Sequence, residues 1–341
     1  MNNTMSKTKV YVDSGFWNCF AKEYILSRNS FDPEGVDNRI ILEKWNKFIY
    51  ESDTCIEKIS ENPDELYMLF LRNWSGKPYG QTIQGEVIEQ RLFNPDPDDL
   101  NSVFLTKTDH TREAVNNGVL NIHTENDDFL KRKVLFEGII NKPIKRRREN
   151  SWSNILNEDK VLFNCNSMVF IDPWVVKNEQ EYNEINLKEV LKLILPQSLS
   201  CDFHFTIVSE KDSRVEIWDD KNLEEIKRWT DNKKQLLSEM IREIRPKLSE
   251  HIIIEVYYNY DKAFHDRDII TNYTSITIGA GFDALYKDRR NLNTKAGKET
   301  KITILYPGFI FNTEAYEEII NQTNYCIRKQ ERPRSRNRLL S

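Results

Sequence analysis

The segment Phe264-His265-Asp266-Arg267-Asp268 sets an imidazole and a guanidinium two residues apart. Alternate side chains of an extended strand leave the same face, so His265 and Arg267 are predicted to project side by side. That pair suits a phosphate. Arginine offers a planar fork of donors to two oxygens, and histidine can donate, accept or attack. Downstream, Gly279 and Gly281 allow backbone N–H groups to approach an anion with no Cβ in the way. A second chemistry is carried by acids. Asp13 ends a short apolar run, Asp109 follows another, and Glu86 and Glu89 fall between them. Open α/β sheets place metal and substrate sites at the carboxyl ends of parallel strands. The same acids are also common helix caps and turn formers.

The background that must position these groups is that of a folded protein. The chain has 341 residues, 39% of them hydrophobic, with 17 Phe, 14 Tyr and 7 Trp. That is material for two cores rather than one. The balance of 49 Lys+Arg against 54 Asp+Glu gives a formal charge of -5, so any surface for an anion must be local. Five cysteines at 19, 55, 165, 201 and 326 form no C-x-x-C pair and read as reduced thiols. With no long apolar run and a polar start, the expected location is the cytoplasm. Only 11 Gly and no Gly-rich phosphate loop argue against nucleoside triphosphate chemistry.

The elements predicted from periodicity alternate between strand and helix, which makes the fold class α/β, with two domains. In the first half they are a strand over 9–13, helices through 28 and over 38–51, and then a strand-helix-strand unit. That unit comprises 103–106, 111–116 with Gly118 as cap, and 119–122. Residues 66–71 and 87–93 are ambiguous. The second half reads as strands over 168–172, 203–208, 252–258 and 301–305, with helices over 187–195 and 222–245. It is therefore expected to be a mixed sheet flanked by helices. The expected divisions are an α/β domain over 1–140, a basic polar linker over 141–160, a second domain over 161–325, and a disordered basic tail over 326–341.

The spacing of His265, Arg267, Asn272 and Gly279 matches the offsets of the phospholipase D-type motif, although the residue types agree only in part. Together with Ile278-Gly279-Ala280-Gly281-Phe282-Asp283 and the upstream Ile171-Asp172-Pro173, it resembles the phospholipase D-like C-terminal domain of MIT-domain proteins over about residues 165 to 320. The resemblance implies a phospholipase D-like fold that binds anionic headgroups and forms homodimers. His265, Arg267, Gly279 and Gly281 would be phosphate ligands, and His265, Arg267 and Asn272 would be catalytic if the domain is a phosphodiesterase. The enzyme mechanism needs two histidines, so the second would come from a second subunit. Where the family usually carries an N-terminal three-helix module, residues 1 to 140 here read α/β, and the expectation is a bacterial-style fusion acting as sensor or effector with a defence-system partner.

In the first half, Phe104-Leu105-Thr106-Lys107-Thr108-Asp109 with Ala114, Gly118 and Val119 is similar to the closing part of PIN-type ribonucleases. This second resemblance implies a metal-dependent nuclease in which Asp13, Glu86 and Asp109 hold Mg²⁺ or Mn²⁺. The chain is thus expected either to bind phosphate or nucleic acid through the first site or to cleave phosphodiesters at one of the two.

Overall fold

The computed structural model describes residues 9–29, 35–57, 81–83, 88–125, 139–146, 150–157, 164–173, 176, 180–210, 222–260, 267–279, 281–282, 284–288, 293–297, 299–305 and 314–340. The chain divides into two compact units, residues 1–138 with 306–311 and residues 139–305 with 312–341. The α/β expectation holds in both.

Unit 1 is built on five parallel strands: β1 (Lys9–Val12), β2 (Asp53–Glu57), β3 (Gln81–Ile83), β4 (Ser102–Thr106) and β5 (Leu120–His123). Their order in the sheet is β3-β2-β1-β4-β5, and every neighbouring pair is parallel. β1 and β4 are buried along nearly their whole length, as strands covered on both faces must be. Helices α1 (Ser14–Asn29), α2 (Gly35–Glu51), α3 (Ile88–Phe93) and α4 (Thr111–Asn117) surround the sheet. Phe16, Trp17 and Phe20 of α1 and Trp45 of α2 are fully buried, and the Phe16 and Trp45 rings lie 6.1 Å apart. α4 ends where Gly118 takes φ 63 and its N–H reaches back to Ala114 O and Val115 O, the left-handed cap that a side chain would strain. Of the ambiguous 87–93 stretch, Ile88–Phe93 is α3, whereas 87 and 66–71 lie outside the described residues.

Unit 2 holds a seven-stranded sheet in the order β6-β14-β11-β10-β7-β8-β9. Its strands are β6 (Ile139–Ile144), β7 (Ser167–Ile171), β8 (Phe203–Ser209), β9 (Ile252–Tyr258), β10 (Asp268–Thr271), β11 (Ser275–Ile278) and β14 (Thr300–Leu305). A separate hairpin pairs β12 (Leu285–Lys287) with β13 (Thr294–Ala296). β7, β8 and β9 run parallel, and the remaining pairs are antiparallel, so the expected mixed sheet is present. The helices are α5 (Trp152–Asn157), α6 (Gln180–Ile185), α7 (Leu187–Ile194), α8 (Leu223–Ile244) and α9 (Glu314–Lys329). The stripe Leu187, Val190, Leu191 and Ile194 of α7 is buried. Asn222 caps α8, its side chain accepting from the N–H groups of Glu224 and Glu225.

Two expectations about organisation are corrected. Residues 141–144 and 152–157, expected to lie in a linker, are not linker. The first complete β6, which pairs with β14 at the sheet edge, and the second form α5, whose Trp152 is buried. The tail over 326–341 is not a disordered tail. Its first residues finish α9, and beyond it Ser335, Asn337, Leu339 and Leu340 are buried against the sheet. No helix among the described residues is long and apolar enough to cross a membrane.

Candidate active site at the carboxyl edge of the parallel sheet

Connections from β1 to β2 and β3 run to one side of β1, and those to β4 and β5 run to the other. The order of the sheet therefore reverses between β1 and β4. In an open parallel sheet the crevice beyond the carboxyl ends of the strands at that reversal is where ligands bind. Asp13, the residue after β1, lies at that reversal and is 6% exposed. Its Oδ1 accepts from the Phe16 N–H at 2.5 Å, which caps α1, and its Oδ2 accepts from the Lys107 N–H just beyond β4 at 2.7 Å. Gly15 permits this closure. A Cβ there would stand 2.6 Å from the Lys107 Cβ, so the start of α1 passes the exit of β4 only with no side chain between them.

Further acids share the edge. Glu57, the last residue of β2, accepts from the Ser14 N–H through Oε2 at 3.2 Å. Glu89 of α3 stands 3.0 Å from His110 Nε2, and the edge of that imidazole meets the Phe93 ring at 5.2 Å. Burial pushes the Asp13 carboxyl up to about 6; its two backbone donors pull it down, and the negative charges of Glu57 and Glu89 add to the rise. The Asp13 carboxyl therefore feels the negative charge of both Glu57 and Glu89.

Asp109 sits differently from its expectation. It is half-exposed, its Oδ1 accepts from the Thr111 N–H at the start of α4, and it lies 3.5 Å from His123 Nε2. It shapes the loop after β4. Glu86 lies outside the described residues. Glu57 was missed because β2 carries only the pair Cys55-Ile56 as an apolar signal between polar residues, and Glu57 stands out only as an acid directly after that pair. The donor chemistry of Asp13, Glu57 and Glu89, all carboxylate oxygen, fits a hard divalent cation. Among the described residues, no three His, Cys, Asp or Glu side chains come together as a metal-binding group.

In unit 2, His265 lies outside the described residues. Arg267 directly precedes β10, and its Nη1 donates to the Gly279 carbonyl at 3.2 Å, so two of the residues expected together are adjacent. Gly281 takes φ 93 in the turn after β11, a conformation that glycine allows. This turn delivers Phe282 into the core, where its ring meets Phe170 edge-on at 4.9 Å and its N–H donates to Asp172 Oδ2 at 2.7 Å. Asn272 corrects its expected catalytic role. It is fully buried; its Oδ1 accepts from the N–H groups of Asn166 and Ser167 at 3.1 and 2.8 Å, and its Nδ2 donates to Asn166 Oδ1. Its amide is spent on fastening the β10–β11 turn to the start of β7.

Comparison with protein-family models and with curated protein sequences gives no match.

Proposed function

We propose that the protein cleaves phosphodiesters in the manner of a nuclease, with Asp13, Glu57 and Glu89 as its working groups and a divalent cation as the partner that lets so acidic a crevice receive a phosphate. The observation that carries this reading is the placement of Asp13, buried where the strand order reverses, with its oxygens on the Phe16 and Lys107 N–H groups and Glu57 on the neighbouring Ser14 N–H. Two backbone N–H groups stabilise the charge of Asp13, yet burial and two neighbouring acids still raise it to about 6. Like charges gathered in a crevice weaken a fold and persist where they are used. When bound, a hard cation such as Mg²⁺ or Mn²⁺ would neutralise the site and supply an activated water. Asp13 would be the fixed ligand, held by α1 on one side and β4 on the other. His110 would orient Glu89.

The test uses the full chain with 5′-labelled single-stranded RNA and DNA. Cleavage is expected with Mn²⁺ and not with EDTA, and Asp13→Asn and Glu57→Gln should each lower the rate on the order of 100-fold. Cleavage that ignores EDTA, or survives in Asp13→Asn, overturns the reading.

A second reading, phosphate recognition by His265 and Arg267 in unit 2, is favoured by the contact of Arg267 with Gly279. It predicts binding of anionic phosphate that is lost in Arg267→Ala and retained in Asp13→Asn. Metal-independent cleavage abolished by His265→Ala would instead identify a dimeric phospholipase D-type phosphodiesterase.

A further inference from the structure

After α9 the chain crosses back over the parallel part of the unit 2 sheet, from β9 to β8 to β7. Alternate residues hold it down. Ser335 Oγ donates to Glu255 of β9, and the Arg336 N–H donates to the same carboxylate at 3.1 Å. Asn337 Nδ2 donates to Thr206 Oγ1 of β8 at 3.0 Å and to the Met168 carbonyl of β7 at 2.9 Å. Leu339 and Leu340 are buried beyond them. Burial of Ser335 and Asn337 turns the residues between them outward, and Arg334 and Arg336 are exposed. Exposed Arg328 of the last turn of α9 precedes them. None of Arg328, Arg334 and Arg336 forms an ion pair with a described residue.

We propose that this strap is a rigid basic ridge that docks the backbone of a single-stranded nucleic acid. Arginines anchored at fixed spacing suit a linear row of phosphates, because the chain loses little further freedom on binding. Arg332 extends the row toward α8 by donating to Thr230 Oγ1 at 2.9 Å. The exposed lysines Lys227 and Lys234 lie three residues before and four after Thr230 on the same helix stripe. The one acid in the strap, Glu331, is exposed, and the Glu255 carboxylate below is engaged by Ser335 and Arg336. The positive field reaches inward as well. His204 beneath the strap is pushed down to about 4 by burial first and then by Arg338 and Arg336, with only Asp202 opposing. A lipid surface fits less well. Membrane-surface segments insert apolar side chains, whereas Leu339 and Leu340 are turned inward and the exposed large apolar residues Ile40, Phe93 and Leu223 all lie outside the strap.

The ridge belongs to unit 2 and needs no cleavage, so it is tested separately from the carboxylate site. The experiment follows binding of a fluorescein-labelled 20-nucleotide oligo(dT) by anisotropy, in EDTA, across a salt series, with the full chain. Arg334→Gln/Arg336→Gln is expected to weaken binding about tenfold or more at low salt and to reduce the slope of log K against log salt by about 1.4, the share of two phosphate contacts. Arg334→Lys/Arg336→Lys keeps the charge and is expected to keep most of the affinity, which separates loss of contact from loss of fold. Unchanged affinity in the Gln variant overturns the proposal, as does loss of binding in the Lys variant. Binding to vesicles of 30% phosphatidylserine without binding to oligo(dT) overturns it too and assigns the ridge to a membrane surface.

Discussion

The Oδ2 of Asp13 accepts the N–H of Lys107 at 2.7 Å, and this one bond fastens the exits of two adjacent parallel strands around a buried carboxylate. The bond spans the point where the strand order reverses, so the group that caps α1 also faces the crevice in which a ligand would lie. Capping and function are thus not rival explanations of Asp13. The cap fixes where the carboxylate points, and the neighbouring charges of Glu57 and Glu89 raise its affinity for a proton.

That raised affinity makes stability depend on pH. The Asp13 carboxyl titrates near 6 in the folded chain, above the ordinary 3.8, so protonation favours folding. Its contribution is fully present below about 3.8 and is lost as pH rises through about 6, a change on the order of 3 kcal/mol. In EDTA, the urea midpoint of wild type should therefore fall from pH 4 to pH 7 by more than that of Asp13→Asn, which cannot ionise there. Parallel pH profiles would refute this account. The proposed cleavage, if ionised Asp13 holds the cation, is expected to rise with pH through about 6.

Asn272 is expected to reject the residue that the phospholipase D enzymes carry at that offset. In Asn272→Asp the two backbone donors of Asn166 and Ser167 remain satisfied, but a buried carboxylate oxygen then faces Asn166 Oδ1, where an N–H now donates. An unpaired buried charge costs more than a lost hydrogen bond, so a loss of roughly 2 kcal/mol or more is predicted. Thermal unfolding of Asn272→Asp beside Asn272→Ser measures it. A melting temperature equal to wild type would show that the site is open enough to hydrate.

These residues show what a sequence displays and what it conceals. Elements marked by apolar periodicity and by caps were legible: the strand over 252–258 matches β9, Gly118 closes α4, and Asn222 opens α8. β6 was hidden because it is an edge strand. Lys142 and Pro143 are what an edge tolerates, and in sequence they read as linker. The strap was hidden because it alternates arginine with Ser335 and Asn337 over a sheet face that carries Thr206 and Glu255. A polar core leaves no apolar pattern. The site was legible in half. Asp13 stood out as an acid at a strand end, but Glu57 reaches it only through the long-range pairing of β1 with β2. The role of Asn272 depends on Asn166, 106 residues away, which no local spacing can show.

A buried cluster in unit 1 should prove more sensitive to loss of its acid than to loss of its phenol. Asp99 is 1% exposed and gathers Lys9 at 3.3 Å, Arg91 at 3.0 Å and the Tyr11 hydroxyl, while Arg91 also lies over the Tyr11 ring. Burial and the bond to Asp99 push the Tyr11 phenol up to about 12. Tyr11→Phe removes one donor and leaves both cations paired, a loss of roughly 1–2 kcal/mol. Asp99→Ala strands two half-buried cations and should cost about 3 kcal/mol or more. Urea unfolding of the two variants in parallel gives the ranking, and the reverse order would mean that the cations reach solvent freely once the acid is gone.

The strap should behave as part of the fold of unit 2 rather than as an appendage. Removing residues 332–341 takes away Leu339 and Leu340, each worth about 1.5–3 kcal/mol as a buried side chain. It also strips Thr206 and Glu255 of the partners that Ser335 and Asn337 supply. The truncated chain is therefore expected to melt well below wild type or to be recovered insoluble. Asn337→Ala isolates the polar share: it deletes the donors to Thr206 Oγ1 and Met168 O while keeping both leucines, and should cost roughly 1–3 kcal/mol. Arg334→Gln/Arg336→Gln, which changes only the outward face, should melt within about 0.5 kcal/mol of wild type. A truncation as stable as the full chain would show that the sheet face is satisfied by water, and the arginines would then have no rigid base from which to read a phosphate backbone.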